Sequence, residues 1–262
     1  MQKFLTCLPA FFIYTICNGQ PVQLAPPLMK YQSVFFKDAI NVQLEFAQAR
    51  TQIRYTLNGL EPGNTSKIYS GPIQIKKRIT VVKAITTGDQ YSPSASVSAT
   101  FIKDGLKIKS TKQTIANEKF PGSGNNTLTD NQGGSADLNS KTWVGYQTDS
   151  VEIELLLEKN QIVSSALLHC LQSPGSWIFL PENIRIFYFD EEDNNYGTIA
   201  EENHPIKETI GPATCIPLLV NFSKKITTKK IKIILKGVQS LPETHPGKGK
   251  PGWLFIDEIK LY

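Results

Sequence analysis

Two adjacent carboxylates, Asp257 and Glu258, sit inside the apolar closing run Trp253-Leu254-Phe255-Ile256-Asp257-Glu258-Ile259-Lys260-Leu261-Tyr262. Acidic side chains in a strand of that kind are costly to bury unless they are paired or bound to a cation. The run therefore points to an ion site at the seam where the two ends of a β-sandwich meet. The segment before it, Leu241 to Pro251, is dense in Pro, Gly and Lys and carries His245 and Lys248 beside Trp253. Sugars are held by aromatic faces against their C–H patches and by polar groups paired to their hydroxyls, on loops fixed by a rigid scaffold. Trp177, His245, Lys248 and Trp253 are the residues that meet this description. Trp143 and Trp177 both lead into strand patterns, and for each a core position is the alternative to a sugar platform.

Catalytic constellations are weaker. Asp190-Glu191-Glu192-Asp193 is a carboxylate run. Consecutive acids on a hairpin tip make a solvated turn, not an acid/base pair across a cavity. His169, His204 and His245 lack metal-ligand spacing. There is no nucleophile elbow and no phosphate-cradling glycine pattern. The chain reads as a non-enzyme.

The elements that must position these residues follow from a period of two. Val151, Ile153, Leu155 and Leu157 share one face of a run whose other face carries Glu152, Glu154 and Glu158, and Lys230 to Lys236 alternates likewise. Such alternation marks half-buried antiparallel strands. Asn58-Gly59, Pro62-Gly63-Asn64, Gly88-Asp89 and Asp193-Asn194-Asn195 punctuate them as turns. The expected fold is all-β, two β-sandwiches in series. Residues Pro26 to Phe101 hold about seven short strand candidates, the number of an Ig-like or fibronectin-like sandwich. Ile102-Lys103-Asp104-Gly105 reads as a hinge, and a longer β-module occupies 106–262. Its polar stretch between Glu118 and Thr142 is too long for a hairpin turn and reads as a functional or metal loop.

The N-terminus reads as a secretory signal over 1–19: basic Lys3, an apolar run from Leu5 to Cys17, and cleavage before Gln20. A lipid anchor on Cys17 is the alternative. Either way the expected location is secreted, periplasmic or cell-surface, with no transmembrane segment. Of the four cysteines, Cys170 and Cys215 remain for the mature chain. They either pair in an oxidising compartment or serve as small buried hydrophobes. The net charge of +5 is spread along the 262 residues, with no basic run dense enough for a nucleic-acid partner.

Residues 23–103 resemble the small β-sandwich appended to chitobiases and bacterial β-hexosaminidases. The likeness is carried by Ile53-Arg54-Tyr55-Thr56-Leu57-Asn58-Gly59, Glu61-Pro62, Ser66 with Tyr69, Gly71-Pro72-Ile73, Val81 to Ile85 and Ser92. Residues 106–262 resemble a discoidin domain (coagulation factor 5/8 type C), a jelly roll. Here the matching elements are Leu128-Thr129-Asp130, Trp143-Val144-Gly145, Val151 to Leu157, Trp177-Ile178-Phe179-Leu180-Pro181 and Trp253 to Ile259. The pair resembles the accessory tail of family-20 β-hexosaminidases, without their catalytic barrel. The resemblance implies glycan binding, including glycans with amino sugars. It also implies a structural Ca²⁺ held by Asp130, Ser135 and Glu258. The alternative to glycan binding is a spacer or docking accessory of a catalytic glycosidase.

Overall fold

The computed structural model describes residues 21–124, 126–206 and 211–262. The expected signal segment, with Cys7 and Cys17, lies outside them.

The first module is built from β1 (Leu28–Lys30), β2 (Phe35–Phe36), β3 (Ile40–Glu45), β4 (Thr51–Thr56), β5 (Lys67–Ile68), β6 (Ile73–Ile75), β7 (Ile79–Gly88) and β8 (Val97–Lys103). They form a three-stranded sheet, β1-β3-β6, and a five-stranded sheet, β2-β8-β7-β4-β5. Alternation decides which residues face inward: Val42 and Leu44 on β3 meet Val82 and Ala84 on β7 and Phe101 on β8 in one core. Gly59 takes φ +79° in the turn after β4, where a left-handed residue is required.

The second module comprises β9 (Ile108–Gln113), β10 (Val144–Tyr146), β11 (Ser150–Gln172), β12 (Asn183–Asp190), β13 (Asn195–Asn203), β14 (Thr214–Lys236) and β15 (Leu254–Leu261). Its strand order is β10-β15-β11-β14-β12-β13, with β9 on the first half of β11. Strands β11 and β14, 23 residues each, pair along their whole length through register shifts at Leu156/Gln161 and Val163/Ser165. Bulges of this kind let one strand turn a corner and serve both layers. The first half of β11 lies beside β9, and its second half beside β15. Between the layers Val151, Ile153, Leu155 and Leu157 pack with Ile184, Ile186, Ile231, Ile233, Ile256 and Ile259. The all-β architecture expected from the alternation is the architecture found.

The modules meet through an apolar cluster, Val34, Phe35 and Ile102 from the first and Leu167 from the second, with Tyr262 packed against it. The Arg78 guanidinium lies 4.3 Å from the centre of the Tyr262 ring, and the Tyr262 hydroxyl donates to Lys103 O at 2.7 Å. Gly105 passes so close to β15 that an added Cβ would stand 2.2 Å from Leu261 O. The segment read as a hinge is thus clamped: Leu106 N donates to Leu261 O at 2.7 Å.

Cys170 and Cys215 are free. Their register explains it. Leu171 is opposite Cys215 while Cys170 is opposite Ile216, so the two thiols project to opposite faces of the sheet. Of the two sequence alternatives, the buried small hydrophobe is the one realised for Cys170, which joins the main core.

Candidate functional site

The loop Leu241 to Trp253 and the turn Ser173 to Trp177 come together at one end of the second module. Trp253 N donates to Trp177 O at 2.7 Å, and Phe179 N donates to Trp253 O at 2.9 Å. Trp177 follows a one-turn 3-10 segment, Pro174–Ser176, and adopts φ 64°, ψ 23°. A bulky side chain in the left-handed region costs on the order of 1–3 kcal/mol and persists only where its surroundings over-determine it. Here Gly247 lies against the indole, where a Cβ would come within 2.7 Å. Trp177 and Trp253 are both half-buried. The Lys250 ammonium sits 5.6 Å from the Trp177 ring centre, within cation–π range. Lys248 is exposed and pairs with Glu243 at 3.1 Å.

His245 does not belong on this surface. It is 6% exposed and both ring nitrogens are engaged, Nε2 with Pro174 O at 3.0 Å and Nδ1 accepting from Gly247 N at 3.1 Å. Its ring meets Trp177 and Phe179 edge-on at 6.0 and 5.7 Å. The imidazole pins the 241–253 loop to the 173–177 turn and has no donor left for a hydroxyl. The sequence reading of His245 as a sugar contact is corrected accordingly: a Gly/Pro-rich loop needs an internal anchor, and this is it. His245→Ala leaves the Pro174 carbonyl and the Gly247 amide without their partner. The expected result is a loss of about 1–3 kcal/mol of stability, measurable by chemical denaturation.

The seam of carboxylates is a different site from the one expected. Asp130 is turned into its own loop, Oδ1 accepting from Gln132 N at 2.8 Å and Oδ2 from the Ser123 hydroxyl at 2.9 Å. Ser135 Oγ accepts from Asp137 N at 3.2 Å. Glu258, fully buried, accepts from Asn131 N at Oε2, 2.7 Å, and its Oε1 lies 3.0 Å from Lys260 Nζ. Among the described residues no three His, Cys, Asp or Glu side chains converge as metal ligands. Asp130 and Ser135 are thus engaged within their own loop and Glu258 with Asn131 and Lys260, fewer free oxygens than the six to eight a Ca²⁺ ion takes in one shell. Burial pushes the Glu258 carboxyl up to about 8, with Lys260 and the Asn131 N–H pulling it back down.

Asp257 reaches a partner that periodicity alone did not reveal. Strand β15 shifts register against β11 between His169 and Cys170, so that Asp257 is the extra residue of a bulge. Its Oδ1 meets His169 Nδ1 at 2.6 Å and its Oδ2 accepts from Gly134 N at 2.8 Å. A carboxylate only accepts, so Nδ1 carries the proton of the first bond. The imidazole is stacked on Trp143 at 6.0 Å and 12° and is met edge-on by Phe35 at 5.3 Å. His169 borders a cleft of about 590 Å³ between the modules, with Tyr31, Ser98 and Cys215 on its walls. Burial pushes the Cys215 thiol up to about 12, which leaves it protonated and a poor nucleophile at neutral pH. The Asp–His pair clamps the 131–135 loop through the Gly134 amide. The run Asp190 to Asp193 is an exposed hairpin tip, its Glu192 and Asp193 amides donating to Asp190 Oδ1.

Residues 32–98 match the profile of the chitobiase/beta-hexosaminidase C-terminal domain. No curated protein matches the sequence. Among solved structures the chain is similar to a family 32 carbohydrate-binding module in complex with 4,5-unsaturated mannuronic acid (13% identity, 60% of this chain and 96% of that one, TM-score 0.37). It is also similar to the family 32 carbohydrate-binding module of Streptococcus pneumoniae EndoD (15% identity, 61% and 96%, TM-score 0.36). A third is a Ruminococcus gnavus GH29 fucosidase in complex with fucose (15% identity, 58% of this chain, TM-score 0.34), of which the chain spans 24%.

Proposed function

We propose that this protein is an exported, non-catalytic carbohydrate-binding protein whose second module meets glycans at the end formed by the 241–253 loop and the 173–177 turn. The observation that carries the reading is the half-buried Trp177 indole, with the Lys250 ammonium 5.6 Å from its ring centre, at the end where the 173–177 turn and the 241–253 loop meet. Trp253 projects to the other side of its bridge with Ile178 and packs on Phe120 and Phe255. Exposed aromatic area held without loss of side-chain freedom suits stacking on a sugar face. Lys248 and Lys250 supply donors for hydroxyl, carboxylate or sulfate groups. The match of residues 32–98 to a domain of chitobiases and β-hexosaminidases supports glycans with amino sugars as the first to test. It also favours a second reading, an accessory docked on a catalytic glycosidase. For the location, no helix among the described residues is long and apolar enough to cross a membrane.

Such a shallow site leaves many hydroxyls in water, so the expected dissociation constants are on the order of 10 µM to 1 mM. Retardation in gels carrying immobilised glycans, chitin-derived polymers included, is the test. Lys250→Ala, at an exposed position, is expected to weaken binding about tenfold with an unchanged melting temperature, the loss of one charged hydrogen bond. No retardation on any glycan, together with co-purification of a glycosidase, overturns the first reading in favour of the second.

A further inference from the structure

The seam that the sequence assigns to a metal ion already holds a cation of its own. Lys260, 4% exposed, projects from β15 toward the first module. Its ammonium donates to Asp104 Oδ1 at 2.7 Å and to Asn131 Oδ1, and lies 3.0 Å from Glu258 Oε1. The three oxygens come from three different segments: the linker between the modules, the long loop of the second module, and the closing strand. An ammonium has three N–H donors; two are spent on Asp104 and Asn131, and Glu258 Oε1 stands at ion-pair distance. The ring of Phe35, from the first module, lies 5.5 Å away and faces the same charge. Asn131 is shaped for the task. Its φ of 60° lets its backbone N–H reach Glu258 Oε2 while its side-chain oxygen turns to the lysine. Asparagine tolerates that left-handed conformation better than most residues.

We propose that the Lys260 ammonium is the resident cation of this seam. It takes the place of a structural metal ion, locking linker, loop and closing strand together, and so makes the protein independent of calcium. Burying a lysine is costly unless its charge is matched. Asp104 matches it, and Glu258 presents an oxygen to it whether protonated or not. A divalent ion entering among the same oxygens would face the ammonium at close range, so the two exclude each other. The consequence reaches both modules, since Asp104 and Phe35 belong to the first module and its linker.

The test is thermal unfolding of the full mature chain after dialysis against chelator. The wild type is expected to melt at the same temperature in excess EDTA and in millimolar CaCl₂. Lys260→Met keeps the stem and removes the charge. It is expected to lower the melting temperature by about 10 °C, the effect of breaking a buried charge network in a chain of this size, regardless of calcium. A wild-type melting temperature that falls in EDTA and recovers with Ca²⁺ overturns the proposal, as does a Lys260→Met protein as stable as the wild type. Should Lys260→Met fail to accumulate in folded form, Asn131→Ala leaves the charge in place and removes one of its three oxygens. A lowered melting temperature that neither EDTA nor Ca²⁺ alters supports the proposal, and an unchanged one overturns it.

Discussion

Asp257→Ala is expected to destabilise the protein by about 3–5 kcal/mol, because it removes one half of a pair whose other half stays buried. Asp257 is 0% exposed and His169 1%. Without the carboxylate, His169 Nδ1–H faces a cavity and the Gly134 amide loses its acceptor. Each orphaned donor costs on the order of 1–3 kcal/mol. The loss spreads to the modules' contact, since Gly134 is held where an added Cβ would stand 2.1 Å from Val34 Cγ2 of the first module. Denaturant unfolding followed by tryptophan fluorescence reads the effect directly. Trp143 lies on the imidazole, so its emission reports the site itself. The double variant Asp257→Ala/His169→Leu separates two explanations. If the cost arises from the orphaned imidazole, replacing it with an apolar side chain recovers part of the stability, as buried ion pairs replaced by hydrophobic residues do. If the double variant is less stable than the single one, the imidazole is held by its stack on Trp143 and not by Asp257.

The bulge that makes this pair was written in β15, in a form that simple alternation hides. Leu254 and Ile256 are two apart, and so are Ile259 and Leu261, but Ile256 and Ile259 are three apart. All four face the same core. A step of three in a period-two strand means one extra residue, and the extra residue is a carboxylate. What was legible was the cost of burying Asp257 and Glu258 in an apolar strand. What was not legible was who shares that cost. His169 is 88 residues away and Lys260 only two from Glu258, yet neither is distinguishable by spacing from an ordinary strand residue. The resemblance pointed to a metal at the seam; the side chain lying there is Lys260, its ammonium 3.0 Å from Glu258 Oε1.

The strand pattern transferred well because its cause is local. Alternating Val151 to Leu157 and Ile231 to Leu235 bury every second residue wherever the partner strand lies. The length of β11 and β14 did not transfer. The alternation marks Val151 to Leu157 in β11 and Lys230 to Lys236 in β14, and the pairing runs on past them through register shifts. The loops show the same division. Pro, Gly and Trp marked 241–253 as a loop, while the burial of His245 depends on the Pro174 carbonyl, 71 residues away.

Trp143→Ala is expected to be as damaging, a loss of about 3–5 kcal/mol, enough to unfold the second module at moderate temperature. The indole is 1% exposed and packs with Leu171, Ile178 and Phe255. It is also the floor on which His169 lies, and its Nε1–H donates to Ser135 O at 3.1 Å, fixing the loop that runs between the modules. Truncation therefore opens a cavity, frees the loop and unseats the Asp257–His169 pair in one step. Trp143→Phe divides these effects. It keeps an aromatic face under the imidazole and loses the bond to Ser135, so the expected cost falls to roughly 1–2 kcal/mol. Calorimetry distinguishes the outcomes. If Trp143→Ala melts in one transition shifted as a whole, the junction and the second module's core unfold together. If the first module keeps its own unshifted transition, Trp143 acts within the second module alone, and the contacts of Phe35 and Val34 add little to the first module's stability.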